Sequence, residues 1–504
     1  MAEINGNFTV QYLKKELDPP LLPNDETNFQ KYEFNKVHYV EKIKNYSDIS
    51  VLFNSLINDC SANIDKVASI FYWLSFIDKK NAQFPNVLFG SLESKFNIII
   101  QSICWKPAAF EFLCRCIGIS CMTISGIART MDYVPTKNNI KTSNHTWNCV
   151  FINNAWHLSD ILWSSEVIMK TFTGIILSTE SQESDQRIFS NQYFLMPPII
   201  FQTTHFPNEQ TFQLLSKTIT FDHFESYPLF TNHFFESPLA SLDYKSYSMI
   251  SQKGHFKLIL PYNGNSSFFH FLEYYDEKTK TMIIKTKHNQ SIKSFSLIEI
   301  TKENIIIYFR FPLEGNYFLT FCIQDELEDS PSIMKYKALL KWKIQCLKTT
   351  DSIEGFYGCR DMNLGPSWFH MNYYGLLPIN LTTGIVKIEF SPPAYIEACF
   401  RKLNPEVMVI AKVRGAAAML PSNYSSDIQS QWNSQCNGEC LDWLIDDEDD
   451  TESEITITIR LPKYGEYSLE IYANFPQEGD TFVQVAQYIL DLKQNKSDQI
   501  SAIK

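Results

Sequence analysis

The chain repeats itself, and the repeat limits its folds more than any other feature. Ile307-Tyr-Phe-Arg-Phe-Pro-Leu-Glu-Gly-Asn-Tyr-Phe-Leu and Ile457-Thr-Ile-Arg-Leu-Pro-Lys-Tyr-Gly-Glu-Tyr-Ser-Leu share Arg310/Arg460, Pro312/Pro462, Gly315/Gly465, Tyr317/Tyr467 and Leu319/Leu469, all offset by 150. An alternating strand, a Pro/Gly turn and a second alternating strand make a hairpin. Several such strands per copy predict two β-sandwiches, near residues 222–346 and 349–495. The copies also open alike, Gly254-His-Phe-Lys-Leu-Ile against Gly384-Ile-Val-Lys-Ile-Glu, here offset by 130. The difference, 150 − 130 = 20, gives the second copy about 20 extra residues. We place them in the polar stretch 421–454 with its acidic run Asp446–Asp450, read as a surface loop insertion.

The first half reads differently. Ile64, Val67, Ala68, Phe71 and Leu74 fall at helical spacing, as do Ala108, Ala109, Phe112, Leu113 and Cys116. From Cys121 to Trp163 the period becomes two, with Asn153-Asn154 as a turn signal. Helices followed by an antiparallel sheet give an α+β class. At roughly 150 residues per domain, 504 residues allow about three domains. A net charge of −12 with no basic tract argues against nucleic acid as a partner. No signal-peptide pattern opens the sequence and no apolar run approaches a transmembrane segment, so a cytoplasmic protein is expected. Twelve cysteines are too sparse for a disulfide scaffold, and core thiols in a reducing compartment are expected.

Cys104 stands just before the predicted helix, in Ser102-Ile-Cys-Trp-Lys-Pro-Ala. A helix N-terminus favours a nucleophilic thiolate, and Pro107 suits a first turn, where N–H groups have no partner. A two-residue turn at Asn153-Asn154 makes paired residue numbers sum to 307. His145, Trp147 and Asp160 then share one sheet face, with His145 and Asp160 as diagonal neighbours. The carboxylate can orient an imidazole that takes the proton of Cys104, and the thiol is expected within reach of that ring.

Those residues, in that order, resemble the transglutaminase-like superfamily. Cys104-Trp and its apolar helix, then His145-Thr-Trp-Asn, then Trp156-His-Leu-Ser-Asp-Ile-Leu-Trp163 match its Cys, His, Asp arrangement on a helix and two adjacent strands. Tyr193-Phe-Leu-Met-Pro-Pro, Thr204-His-Phe-Pro, Phe212-Gln-Leu-Leu and Gly365-Pro-Ser-Trp-Phe extend the likeness to the family of kyphoscoliosis peptidase and hillarin. The resemblance implies a papain-like transglutaminase core at residues 35–220, between an N-terminal extension (1–34) and two immunoglobulin-like β-sandwich domains, with a tail at 496–504. It implies Cys104 as nucleophile, His145 as base and Asp160 as orienting acid, with no cofactor and no metal. The implied activity is that of a cysteine hydrolase of the peptidase type, acting on peptide or isopeptide amides. Its alternatives are a catalytically weak or inactive cytoskeletal scaffold, or a protein-crosslinking transglutaminase. The implied partners are protein substrates or cytoskeletal, actin-crosslinking proteins. Lys106 and Pro107 stand where many members carry a small residue and a tyrosine, and Ile103 where a glutamine is common. Cys436 and Cys440 lack a second ligand pair for zinc, so we read them as loop thiols.

Overall fold

A computed structural model of the chain describes residues 12–24, 46–85, 87–130, 143–165, 189–240, 249–283, 290–324, 336–349, 353–358, 364–415, 440–444, 454–479 and 481–493, with a few single positions between them. Cys436, the acidic run at 446–450 and the tail lie outside the described residues. The chain divides into two compact units, 1–232 and 233–504.

Unit 1 has helices first and a sheet after them. Its first helices are α1 (Ile49–Ile57), α2 (Asn63–Phe76), α3 (Leu92–Ile99) and α4 (Trp105–Cys116). Asp48 and Ser91 cap α1 and α3 by accepting from the amides of Val51 and Ser94. Every residue of α2 from Val67 to Ser75 is buried, which explains why the stripe read from sequence understated it: α2 is a core helix. The strands are β1 (Cys121–Ala128), β2 (His145–Ile152), β3 (Ala155–Ser159), β4 (His205–Pro207) and β5 (Leu229–Phe230). The first four form one sheet in the order β3-β2-β1-β4. Asn153 and Asn154 both adopt left-handed φ, at 52° and 64°, as a tight hairpin turn needs, and Ile152 pairs with Ala155 as the register predicted. The ladder stops at Asn148/Ser159, because Asp160 caps a short helix, α5 (Ile161–Ser164), in place of the continued strand expected from sequence.

Residues 12–24 form a strap on this unit. Arg115 is wholly buried on α4 and is held bidentately by Asp18 at 3.1 and 2.6 Å and by Glu111 at 3.2 Å. Trp156 Nε1 donates to the Pro20 carbonyl, and Asn24 Nδ2 donates to that of Trp156.

Unit 2 is all β in its framework and carries both copies of the repeat. The first copy comprises β6 (Met249–Ser251), β7 (His255–Pro261), β8 (Phe268–Asp276), β9 (Thr281–Ile283), β10 (Ser296–Ile300), β11 (Asn304–Arg310), β12 (Gly315–Gln324) and β13 (Tyr336–Cys346). The second comprises β14 (Leu364–Ser367), β15 (Leu376–Pro378), β16 (Ile385–Ile388), β17 (Ala394–Lys402), β18 (Met408–Arg414), β19 (Cys440–Leu444), β20 (Glu454–Leu461), β21 (Gly465–Asn474) and β22 (Val483–Leu492). Side chains from both sheets of the second copy meet in one core around Phe400, Ala411, Leu461, Leu469 and Tyr488. In the first copy, buried His270 on β8 reaches Ser296 on β10 at 2.8 Å, bonding one sheet to the other.

The duplication extends to fine detail. The hydroxyl of Tyr317 donates to the Leu313 carbonyl and accepts from its amide. Tyr467 makes the same pair of bonds to Lys463, so each copy has a tyrosine bonded back onto its own turn. Register shifts fall at Phe321/Cys322 and at Ile471/Tyr472, again 150 apart.

Two expectations need correction. β7 pairs with β11 as β17 pairs with β20, so His255 corresponds to Tyr395 and the opening offset is 395 − 255 = 140. Gly384 instead precedes β16, which runs parallel to β22 as β6 runs parallel to β13. The short Gly-x-x-Lys likeness aligned two different strands because alternation alone does not distinguish them. The surplus is therefore 150 − 140 = 10 residues; β8 and β18 are offset by 413 − 272 = 141, so 150 − 141 = 9 of them lie between β18 and β20. Inside the stretch read as a loop, β19 adds to the edge of β18.

The two sandwiches share a joint. β14 runs parallel to β10 and thus extends a sheet of the first copy. Arg310 grips Glu466 through both carboxylate oxygens, at 3.1 and 2.5 Å, and lies 3.9 Å over the Phe356 ring. Glu299 Oε2 accepts from the Gly384 amide and from Tyr308, and Leu297, Phe356 and Ile489 pack beneath.

Two outcomes are expected. Tyr317→Phe and Tyr467→Phe each remove the hydroxyl that bonds twice to its own turn and should cost about 0.5–1.5 kcal/mol in denaturant unfolding, similarly in the two copies. Burial holds His270 at about 3 and His370 at about 4, below the ordinary histidine value near 6.5. The unfolded chain therefore binds more protons as pH falls, so the stability these residues contribute is whole above about 6.5 and is lost toward 4. Unfolding midpoints at pH 7.5 and 5 should show this loss, and His370→Gln should flatten it.

Candidate functional site

Cys104 is the N-cap of α4 and is exposed, with Pro107 in the first turn as expected. That turn is tied to the sheet, since the Pro107 carbonyl accepts from Asn148 Nδ2 on β2 at 2.9 Å and from Thr123 Oγ1 on β1 at 3.4 Å. Lys106 turns to the Ser75 carbonyl, 2.8 Å away, at the end of α2. Gln101 donates to the Asn97 carbonyl.

His145 and Asp160 come together. His145 Nε2 lies 2.6 Å from Asp160 Oδ2, a charge-assisted hydrogen bond by its length. The other oxygen, Oδ1, accepts from the amides of Leu162 and Trp163 at 2.9 and 3.1 Å, so the residue that orients the imidazole also caps α5. Burial acts to raise the Asp160 carboxyl, but the charge and hydrogen bond of His145 and the bond from His205 outweigh it, and the group is held well below the usual carboxylate range. Binding Asp160 through Nε2 leaves Nδ1 of His145 available for a thiol proton. Among the described residues the Cys104 thiol makes no hydrogen bond, so the structure joins two of the three residues and sets the third, solvated, at the helix end.

A residue to which the sequence reading gave no role completes the cluster. His205 on β4 places Nε2 3.1 Å from Asp160 Oδ2 and Nδ1 2.8 Å from Thr204 Oγ1. It is wholly buried, stacked 3.9 Å from Phe201 and 4.4 Å from Trp163. Burial lowers it to about 4 against the pull of Asp160, so it is neutral at pH 7. The motif Thr204-His-Phe-Pro was visible, but nothing local links a residue 45 positions downstream to Asp160. The link is made by pairing of β4 with β1. β1 lies between β2 and β4, and at Gly126, opposite both His145 and Pro207, any Cβ would run into the Trp147 ring and the Phe206 carbonyl.

The nitrogen and oxygen atoms of His145, Asp160 and His205 lie within 4.8 Å of one another, near enough to be tested as a metal site. A divalent ion bound at about 2.0–2.2 Å holds neighbouring ligand atoms roughly 3 Å apart. The 2.6 Å separation of His145 and Asp160 is a hydrogen bond, and Oδ2 already serves both rings, so the spacing suits shared protons. Among the described residues, no helix is long and apolar enough to cross a membrane.

The chain is similar to several known proteins. Residues 221–357 match the family described as KY-like, immunoglobulin-like domain. A Lim and transglutaminase domain protein of Caenorhabditis elegans is 23% identical over 84% of this chain and 56% of its own. Hillarin of Drosophila melanogaster is 23% identical over 72% of this chain and 45% of its own. Kyphoscoliosis peptidase of Mus musculus is 20% identical over 93% of this chain and 62% of its own. The chain thus spans about half to three fifths of the length of these relatives. Among solved structures, red sea bream transglutaminase aligns over 91% of this chain and 73% of its own, at 8% identity and a TM-score of 0.17. Residues 221–357 thus match a KY-like, immunoglobulin-like domain, behind a helix-then-sheet unit that unites His145 with Asp160, and the chain as a whole is similar to kyphoscoliosis peptidase and hillarin.

Proposed function

We propose that this protein is a cysteine hydrolase of the peptidase type, acting on peptide or isopeptide amides of protein substrates. The observation that carries the reading is the 2.6 Å bond from His145 to a buried, ionised Asp160, beside a helix whose N-cap is an exposed cysteine. Cys104 gives its proton to His145 Nδ1, and its sulfur adds to the amide carbonyl. The C–N bond then breaks, the leaving amine or ammonia takes the proton from His145, and a thioester remains. Water, deprotonated by the same ring, cleaves the thioester to a carboxylate and restores the thiol. Asp160 stays an anion throughout, fixing the ring and balancing its charge. An amine in place of water would make the same intermediate a crosslink. The proposed frame is a core at 35–220 and sandwiches at 222–346 and 349–495. The proposed partners are protein substrates or cytoskeletal, actin-crosslinking proteins, in the cytoplasm.

Incubation with a glutamine-peptide or peptide-aldehyde probe should give a covalent adduct at Cys104 by mass spectrometry. Recovery of the acid, or of an amine conjugate when a primary amine is added, decides between hydrolysis and transfer. An absence of adduct, with partner binding intact in Cys104→Ala, would favour the scaffold.

Alkylation separates activation from mere exposure. Burial pushes the Cys116 and Cys322 thiols up to about 12, so they react slowly whatever the site does. Near pH 6 iodoacetamide should label Cys104 ahead of the other cysteines, and His145→Ala should abolish that preference. Asp160→Asn should lower turnover by about 10²–10⁴-fold, by analogy with loss of the orienting carboxylate in other triads. Labelling of Cys104 that is indifferent to His145 would mean that the thiol is only accessible.

A further inference from the structure

The Asp160 carboxylate has four donors on two oxygens, and only one of them belongs to the proposed triad. The amides of Leu162 and Trp163 hold Oδ1, and His145 and His205 divide Oδ2. The two backbone bonds alone would let the carboxylate tilt about its Cβ–Cγ axis. A second donor on Oδ2, from a strand on the far side of β1, removes that freedom.

We propose that His205 is a positioning residue of this site, donating its Nε2–H to Asp160 so that the carboxylate stays anionic and fixed in the plane that His145 requires. The inference rests on the reading of Cys104, His145 and Asp160 given above and goes one step behind it. Three features of His205 make it a donor and nothing more. The ionised Asp160 carboxylate can only accept, which puts the proton on Nε2 at 3.1 Å, and Nδ1 of the neutral ring then accepts from the Thr204 hydroxyl at 2.8 Å, a shorter contact than that hydroxyl's 3.3 Å to the Phe201 carbonyl. The ring is locked by Phe201 on one face and by Trp163, and Trp147 meets it edge-on at 5.0 Å. The titratable groups that face it are Asp160, His145 and Tyr193. Burial, with the nearby Asp160 charge, keeps the Tyr193 phenol protonated, and burial keeps the His205 ring neutral. Asp160 is therefore an anion that both rings face, and a proton arriving from Cys104 is accommodated at His145. A charged ring at position 205 would cancel Asp160 and oppose that transfer. A neutral N–H steadies the carboxylate without neutralising it.

Two variants of the full chain test this. His205→Phe keeps an aromatic ring against Phe201 and loses the donor, whereas His205→Gln keeps an amide N–H able to reach Asp160. The pH profile of iodoacetamide labelling at Cys104 should drop at least tenfold at its maximum and move by half a pH unit or more in the phenylalanine variant. The glutamine variant should recover most of both changes. A structural role alone would lower the melting temperature of both variants and leave the profile in place. Nitrogen NMR of histidine-labelled parent protein gives a readout independent of reactivity. It should show His205 neutral with its proton on Nε2 from pH 5 to 8. A proton on Nδ1, a charged ring at pH 7, or a phenylalanine variant with the parent profile would overturn the proposal. If Cys104 in the parent shows no preferential labelling, the hydrolase reading fails, and the nitrogen spectra still decide the role of His205. The parent spectra also serve if the phenylalanine variant does not fold.

Discussion

A single buried carboxylate organises the first unit. Asp160 ends β3, caps α5, binds the imidazole of β2 and binds a second imidazole from β4. An ionised group with no solvent exposure is tolerated only when its lone pairs are met, and here four N–H groups meet them. The bonding requirement therefore fixes where three elements stand relative to one another. Ring contacts among Trp147, Trp163, Phe201 and His205 surround the carboxylate's partners with apolar surface, where each hydrogen bond is stronger than in water.

The nucleophile's helix has its own anchor. Arg115, as buried as Asp160, is neutralised by Asp18 and Glu111, and Glu111 in turn accepts from the Thr123 amide and from Lys15. The strap at residues 12–24 thus sets the position of α4 on the sheet from outside. A strap of this kind makes the site depend on residues far from it in sequence, since loss of Asp18 would leave a buried guanidinium facing one carboxylate instead of two.

Much of this was legible in the sequence where the interactions are local. The Asn153-Asn154 turn sets the β2–β3 register as far as Asn148/Ser159, and counting on from there brings His145 and Asp160 to the same end of the hairpin, where they bond. The 150-residue repeat foretold β11–β12 and β20–β21, down to the paired tyrosines. What was illegible depends on distant pairing. β4 has three residues and too little alternation to read, so His205 carried no sign of its partner. Period-two patterning does not say which strand pairs with which, so Gly384 was set against Gly254 while the topology matches β17 to β7. The departure of Asp160 from strand geometry was equally hidden, because capping competes with ladder extension and the outcome turns on a carboxylate that serves both.

The joint between the sandwiches bears on recognition. With β14 paired to β10, Arg310 clamped to Glu466 and an apolar cluster under both, the orientational entropy of two linked modules has been removed in folding. A ligand that touches both copies then loses little further freedom at its second contact, so two weak patches act with the avidity of one continuous surface. Spacing between the patches becomes a selection rule in itself.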